Sequence, residues 1–173
     1  MKQLILGGAR SGKSSLAEKL AIGTGREVIY VATATADDEE MQQRILHHQV
    51  RRPDHWRLVE SPLNLAEALQ KYAAESRCVL VDCLTLWLTN CLLLGDPRHF
   101  EMEKAALLKR LSELPGEIIL VSNETGMGVV PMGLLSREFV DESGRIHQEL
   151  AAICDRVILT IAGLPQVLKG APL

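Results

Sequence analysis

Residues 7–14 read Gly-Gly-Ala-Arg-Ser-Gly-Lys-Ser and match the pattern G-x-x-x-x-G-K-[S/T]. The pattern follows a short apolar run, Gln3–Leu6, and precedes Ser14–Ala21, in which leucines four residues apart indicate a helix. A strand, a glycine-rich turn and a helix in this order form the setting in which such a loop wraps around phosphate. No other feature constrains the fold of the chain as strongly.

Each position of this phosphate loop (residues 7–14) has a chemical reason. Glycine allows the backbone to approach phosphate oxygens closely, and the amide groups point inward with the positive end of the following helix behind them. Lys13 is expected to reach the outer phosphates as a point charge, and Ser14 offers a hydroxyl to Mg²⁺. The predicted nucleotide contacts in the loop are Gly7, Gly8, Ala9, Arg10, Ser11, Gly12, Lys13 and Ser14.

Strand and helix patterns alternate along the rest of the chain. Apolar runs predict strands at Gln3–Leu6, Glu27–Ala32, Arg57–Glu60, Cys78–Asp82, Glu117–Ser122 and Arg156–Ile161. Helical patterns occupy Ser14–Ala21, Asp37–Arg51, Asn64–Ala74, Thr85–Leu94, Phe100–Leu114 and Ser136–Ile153. This order predicts an α/β fold, a single-domain P-loop NTPase of the RecA-like type over residues 1–173, with a mostly parallel sheet and helices on both faces. Ligands of such folds lie at the carboxyl ends of the strands.

Charge and composition restrict the class of protein further. The formal net charge is −3, which argues against a partner with a nucleic-acid backbone. No guanine-reading N-K-x-D is present, and no apolar stretch has the length of a membrane span. None of the four cysteines forms a C-x-x-C pair, so we expect reduced thiols in or near the core and a cytoplasmic protein.

Two carboxylates close predicted strands at the same edge as the phosphate loop. Asp82 ends the run Cys78–Asp82, where an acidic residue holds Mg²⁺ or its waters in P-loop enzymes, although it can also cap the next helix. Glu60 ends another strand and is a candidate for a Mg²⁺ or ribose contact, or a solvated strand end. The predicted metal ligands are therefore Ser14 and Asp82.

The predicted helix Asp37–Arg51 carries paired histidines. At about 100° per residue, Arg44, His48 and Arg52 share one face, while His47 lies on another. An imidazole between arginines is placed to meet a polyphosphate, and neutral imidazole is a nucleophile towards phosphorus. A solvated polar face with incidental histidines explains the same pattern. The other histidines, His55, His99 and His147, have no comparable setting, and we expect them at the surface or in the core.

Several stretches together resemble one known family. They are Gly7–Ser14, the histidine-containing stretch Asp38–Arg52, the segment Pro53–Arg57, and Asn123-Glu124-Thr125-Gly126-Met127-Gly128-Val129-Val130-Pro131. In this order and spacing they resemble the bifunctional adenosylcobinamide kinase / adenosylcobinamide-phosphate guanylyltransferase of cobalamin biosynthesis, over nearly the whole chain. The resemblance implies that ATP or GTP phosphorylates adenosylcobinamide and that GTP then supplies GMP, giving adenosylcobinamide-GDP.

The resemblance also implies roles for particular residues. His48 would carry GMP and, with Lys13, would be catalytic. Further nucleotide contacts would come from Ala32, Thr33, Ala34, Gln49, Val50, Arg51, Arg52, Glu60 and Asp82. Mg²⁺ would be the cofactor, and the assembly would be a homotrimer. Members of the family often carry Glu-Asn after the proline of the last motif, whereas this chain has Met132-Gly133, which leaves the role of the Asn123–Pro131 loop open.

Two alternatives stay open on the sequence. A small-molecule P-loop kinase without a covalent nucleotide step would need the phosphate loop but not the histidine face. A RecA-like nucleic-acid ATPase would need a basic surface, which the net charge of −3 disfavours. Arg137 and Arg145 are candidates for a substrate phosphate contact or for surface salt bridges.

Overall fold

The computed structural model describes residues 1–35 and 53–173, and the following elements belong to this part of the chain. The strands are β1 (Lys2–Gly7), β2 (Glu27–Ala32), β3 (Arg57–Glu60), β4 (Arg77–Asp82), β5 (Glu117–Asn123), β6 (Arg156–Ile161) and β7 (Leu164–Lys169). The helices are α1 (Lys13–Gly23), α2 (Leu65–Tyr72), α3 (Leu84–Leu93), α4 (Pro97–Leu111) and α5 (Leu134–Ile153). The predicted helix Asp37–Arg51 lies outside the described residues.

The strands form one sheet in the order β3-β2-β4-β5-β1-β6-β7. All neighbouring pairs are parallel except β6 and β7. The interior strand β1 pairs with β5 and β6, so that Gly7 lies opposite both Asn123 and Thr160. The predicted mostly parallel sheet is confirmed, and the ends of β1, β4 and β5 meet at one edge.

Side chains alternate between two apolar layers because successive residues of a strand point to opposite faces. Leu4 and Leu6 belong to a core formed with helices α2 to α5, which includes the buried Trp87. Ile5 belongs to a second core, which α1 covers through Ala17 and Ala21. The prediction of helices on both faces is therefore confirmed.

Within the described residues, the sheet has one strand more than the sequence predicts. β7 returns antiparallel to β6 through Ala162 and Gly163, whose φ angles of 51° and 80° suit a two-residue hairpin turn. Its residues are mostly exposed and include Pro165, so the strand lacks the continuous apolar run that marks the central strands.

Helix limits differ from the predictions by a few residues. The sequence predicts α4 at Phe100–Leu114, but the helix begins at Pro97, where proline occupies the first turn and the carboxylate of Asp96 accepts a hydrogen bond from the Arg98 amide at 3.0 Å. All four cysteines are free and buried, as expected. Among the described residues no helix is long and apolar enough to cross a membrane.

Candidate nucleotide site

The phosphate loop follows β1 directly, and its conformation depends on glycine. Gly7 has a φ of 155°, and a Cβ there would lie 2.4 Å from the Thr160 carbonyl oxygen of β6. Gly12, at the start of α1, has a φ of 98°, and its Cβ would approach Gly163 Cα to 3.2 Å. Neighbouring backbone thus leaves no room for a side chain at Gly7, and at Gly12 the positive φ and the tight contact with Gly163 both disfavour one.

Backbone hydrogen bonds fix this loop from two sides. The Glu124 amide, just beyond β5, donates to the Gly7 carbonyl at 2.9 Å. The Gly163 amide, in the turn between β6 and β7, donates to the Ser11 carbonyl at 2.9 Å. The β6–β7 hairpin, which the sequence does not predict, therefore buttresses the loop that the sequence motif identifies.

Lys13 is buried at the first position of α1 and points back into the loop. Its Nζ donates to the Gly8 carbonyl at 2.6 Å. Burial lowers the pKa of the Lys13 ammonium from its ordinary value, and the nearby Cys83 and Asp82 oppose this shift. The bond to Gly8 holds the side chain across the loop, where an arriving phosphate is a stronger partner than a neutral carbonyl.

Asp82 ends β4 beside Lys13 and is half-buried. Its Oδ2 accepts a hydrogen bond from the Tyr30 hydroxyl at 3.2 Å. A carboxylate and the Ser14 hydroxyl are hard oxygen donors of the kind that Mg²⁺ prefers, and a nucleotide would add phosphate oxygens. The donor chemistry at this edge therefore fits the predicted magnesium ion.

The segment after β2 lies next to Asp82 and is fixed by its own contacts. The Thr33 hydroxyl donates to the Cys83 carbonyl at 2.7 Å and accepts from the Cys83 amide at 2.9 Å. The Asn90 side-chain Nδ2 donates to the Thr33 carbonyl at 2.8 Å. The Thr33 side chain thus joins β2 to β4, which leaves Ala34 and the local backbone as the groups open to a ligand.

Glu60 and Asp82 flank the end of β2. Both are register partners of Ala32, one from β3 and one from β4. With strands about 4.8 Å apart, their Cα atoms are about 10 Å from each other. Glu60 is exposed and lies farther from the phosphate loop than Asp82, so the structure brings both to the expected edge but not to one point.

His147, for which the sequence predicts no role, lies buried at this edge. Its Nε2 is 2.7 Å from the Ser122 hydroxyl, and its Nδ1 is 3.5 Å from Glu124 Oε2. The Ser122 hydroxyl is 3.4 Å from that of Thr85, which accepts a hydrogen bond from the Asn123 amide. These contacts join β5, α3 and α5. No local sequence pattern predicts them, because the three elements are distant in sequence.

The loop that follows β5 is exposed and apolar. Over residues 127–135, which we call the apolar segment, the exposed large side chains are Met127, Val129, Val130, Met132, Leu134 and Leu135. Val129 is 97% and Met132 93% exposed. Arg137, one of the arginines considered for phosphate contact, donates instead to the Met132 carbonyl at 2.6 Å, and Arg145 pairs with Glu142.

The remaining predicted site residues lie outside the described part of the chain. They are His48, Gln49, Val50, Arg51 and Arg52, together with His47 and Arg44. Their proposed roles stay predictions.

A phosphate loop between β1 and α1, with an acidic residue at the end of a neighbouring parallel strand, defines a P-loop NTPase. Solved structures share the fold at low sequence identity. The flagellar accessory protein FlaH from Methanocaldococcus jannaschii matches 98% of this chain and 78% of its own, with a TM-score of 0.54 and 17% identity. The assembled type III secretion ATPase EscN of enteropathogenic E. coli matches 92% of this chain and 41% of its own, with a TM-score of 0.59 and 15% identity.

Within that class the sequence comparisons identify the family. Residues 3–168 match the model described as cobinamide kinase / cobinamide phosphate guanyltransferase. The chain is 61% identical, over the full length of both, to the bifunctional adenosylcobalamin biosynthesis protein CobP of Pseudomonas aeruginosa. It is 40% identical to CobU of Escherichia coli K12, covering 98% of this chain and all of the relative. The chain belongs to the cobinamide kinase / cobinamide phosphate guanyltransferase family.

Proposed function

We propose that this enzyme phosphorylates adenosylcobinamide with ATP or GTP and then transfers GMP from GTP to the product, giving adenosylcobinamide-GDP. Family membership supports both reactions. One observation carries our proposal that the nucleotide binds at this edge of the sheet. Lys13 is buried inside a phosphate loop, and residues next to the neighbouring strands hold that loop in shape. Such a loop binds a nucleoside triphosphate by its outer phosphates and leaves the terminal phosphorus exposed to an acceptor.

The nucleotide would bind along residues 7–14, with Ala32–Ala34, Glu60 and residues 49–52 as further contacts. Support comes from the order of strands, since β2 and β4 end beside β5 and β1. Lys13 would exchange its bond to the Gly8 carbonyl for phosphate oxygens. Because phosphate is charged and the carbonyl is not, this exchange favours binding.

Ser14 and Asp82 would hold Mg²⁺ together with phosphate oxygens. The ion would neutralise charge that develops on the phosphates during transfer. Asp82 is supported in this role by its position beside Lys13 and by the Tyr30 hydroxyl, which orients the carboxylate at 3.2 Å. Thr33 keeps the neighbouring turn in place through its bonds to Cys83.

We infer that His48 accepts GMP from GTP and passes it to the phosphorylated corrinoid. Direct transfer would require one site to align two bulky reactants, whereas a covalent carrier divides the reaction into two steps. The support is the sequence pattern, in which Arg44 and Arg52 share a helical face with His48 and would stabilise the charge on the α-phosphate and departing pyrophosphate.

Incubation with Mg²⁺ and GTP labelled at the α-phosphate tests this carrier. Wild-type protein and His47→Ala should retain label, and His48→Ala should retain none. The adduct should be acid-labile and alkali-stable, as expected of a phosphorus–nitrogen bond, and excess chelator should prevent its formation. Label kept by His48→Ala but lost from His47→Ala would reverse the assignment. An unlabelled wild-type protein would leave a kinase without this covalent step.

We also propose that the enzyme is a cytoplasmic homotrimer. Four free, buried thiols suit a reducing compartment. The apolar segment supports an assembly of identical subunits, since monomers rarely expose so many neighbouring large apolar side chains. Beside it lies a groove of about 280 Å³, lined by Thr89, Leu92, Leu93, Pro131, Leu135, Ser136, Phe139 and Val140. A second copy would cover both.

A further inference from the structure

Glu124 occupies a position that neither of the proposed half-reactions has used. Its amide bonds to the Gly7 carbonyl, so its backbone is attached to the first residue of the phosphate loop. Its Oε1 accepts a hydrogen bond from the Gly126 amide at 2.7 Å, and its Oε2 faces His147 Nδ1 at 3.5 Å. The side chain keeps about a fifth of its surface exposed. A carboxylate is therefore fixed beside the phosphate loop and remains partly accessible.

The buried neighbours set the protonation of His147. An ionised carboxylate can only accept hydrogen bonds, so the imidazole hydrogen belongs on Nδ1, which faces Glu124. Nε2 then carries the lone pair and accepts from the Ser122 hydroxyl at 2.7 Å. Ser122 in turn lies within 3.4 Å of the Thr85 hydroxyl. Burial lowers the pKa of His147 from its ordinary value, with Glu124 opposing, which agrees with a neutral ring at pH 7.

We propose that Glu124 is the general base of the kinase step and that His147 is the residue that positions it. This inference rests on the proposed placement of the transferred phosphate in the phosphate loop. A carboxylate has about four lone-pair sites, and the Gly126 amide uses one of them at 2.7 Å. His147 Nδ1 faces a second site at 3.5 Å, so the carboxylate keeps capacity for a substrate hydroxyl. Thr85 and Ser122 hold the imidazole in the orientation that presents Nδ1 to Glu124.

The reaction balances without a further reagent. The acceptor hydroxyl oxygen of the corrinoid forms a bond to the terminal phosphorus of the nucleotide. The bond between that phosphorus and the bridging oxygen breaks, and its electron pair leaves with the nucleoside diphosphate. The hydroxyl proton passes to the Glu124 carboxylate, which later returns it to water. His147 stays neutral throughout and keeps the carboxylate aimed at the hydroxyl.

The decisive variant is Glu124→Gln, assayed for cobinamide-dependent formation of nucleoside diphosphate. The amide oxygen of glutamine can still accept from Gly126, so the loop is retained while the basic carboxylate is lost. We expect kcat of the kinase step to fall about 10²- to 10⁴-fold, the usual contribution of a positioned base. The KM for nucleotide should change less than about threefold, because the interactions that bind the nucleotide in the ground state are retained.

Glu117→Gln is the matched control. Glu117 begins β5 at the opposite edge, about 20 Å away by strand geometry, and is about as buried as Glu124. Its kinase kcat should stay at the wild-type value. If Glu124→Gln also keeps a wild-type kcat, Glu124 is only a cap for the loop and the proposal is wrong.

Two variants of His147 separate positioning from packing. Asparagine places an N–H donor near the position of Nδ1, whereas leucine fills the space without a donor. We expect His147→Asn to retain at least about ten times the kinase kcat of His147→Leu, with equal nucleotide affinity in both. Equal kcat losses in the two variants would remove the positioning role and leave His147 as a packing residue.

Labelling with α-labelled GTP keeps this inference separate from the proposed histidine carrier. Glu124→Gln should still form the GMP adduct, since that step involves no corrinoid hydroxyl. A wild-type protein that forms no adduct would refute the carrier but leave the kinase assay of Glu124→Gln valid. A Glu124→Gln protein that loses both the adduct and its affinity for nucleotide would show that Glu124 supports nucleotide binding. That result would refute the general-base role.

Discussion

The loops after β1 and after β5 begin at neighbouring strands on the same edge of the sheet, but one is fixed by hydrogen bonds and the other is exposed. The phosphate loop is held by backbone bonds from Glu124 and Gly163, and its lysine is buried. The apolar segment after β5 leaves Val129 and Met132 almost wholly exposed. A loop that binds phosphate through its backbone amides gains affinity when it is held in shape before binding. The exposed apolar loop is suited instead to pack against the surface of another molecule.

The largest difference between the loops should appear when a methyl group is added to the first of them. Gly7→Ala would place Cβ 2.4 Å from the Thr160 carbonyl, within the β1–β6 ladder, at a φ of 155°. Strain and overpacking should lower the free energy of unfolding by at least about 2 kcal/mol, measured by urea denaturation. Nucleotide binding should be lost as well.

Gly8→Ala is the control in the same loop, because no atom of the described residues other than its two chain neighbours lies within 4 Å of a Cβ at Gly8. It should change the unfolding free energy by less than about 0.5 kcal/mol. Equal stability of the two variants would mean that Gly7 does not fix the loop against β6, and the contrast between a prebuilt loop and an open one would fail.

The second effect concerns affinity. Lys13→Ala should weaken nucleotide binding at least about tenfold, since a hydrogen bond to a charged group contributes about 1.5–3 kcal/mol. The fold should survive, because within the described part of the chain the Lys13 side chain bonds only to the loop carbonyl of Gly8. Isothermal titration calorimetry measures the change. Lys19→Ala, a lysine of the same helix outside the loop, should bind as the wild type does, and an equally unaffected Lys13→Ala protein would exclude the loop as the site.

The two loops also show what a sequence can reveal. The phosphate loop was predictable because its conformation depends on eight consecutive residues that match one pattern. The apolar runs of β1, β4 and β5 predicted the parallel sheet around it. The position of His147 was not predictable, because it depends on the packing of α5 against β5. This packing brings His147 to Ser122, which is 25 residues away in sequence. β7 was missed because an exposed edge strand needs no apolar run. The contact of this hairpin with Ser11 depends on the turn at Gly163.

Substitutions in the apolar segment should have the smallest effect on stability. They should change the assembly of subunits instead of the folding of each one. Val129→Ser and Met132→Ser should each change the unfolding free energy of the separated subunit by less than about 0.5 kcal/mol, because exposed side chains contribute little to the core. If a second copy covers these side chains, their replacement should shift the mass measured by light scattering from trimer towards monomer. Met102→Ser changes an exposed methionine on α4 and should leave the mass unchanged. A wild-type protein that is monomeric at assay concentrations would refute the trimer, and variants that keep the trimer mass would place its interface elsewhere on the surface.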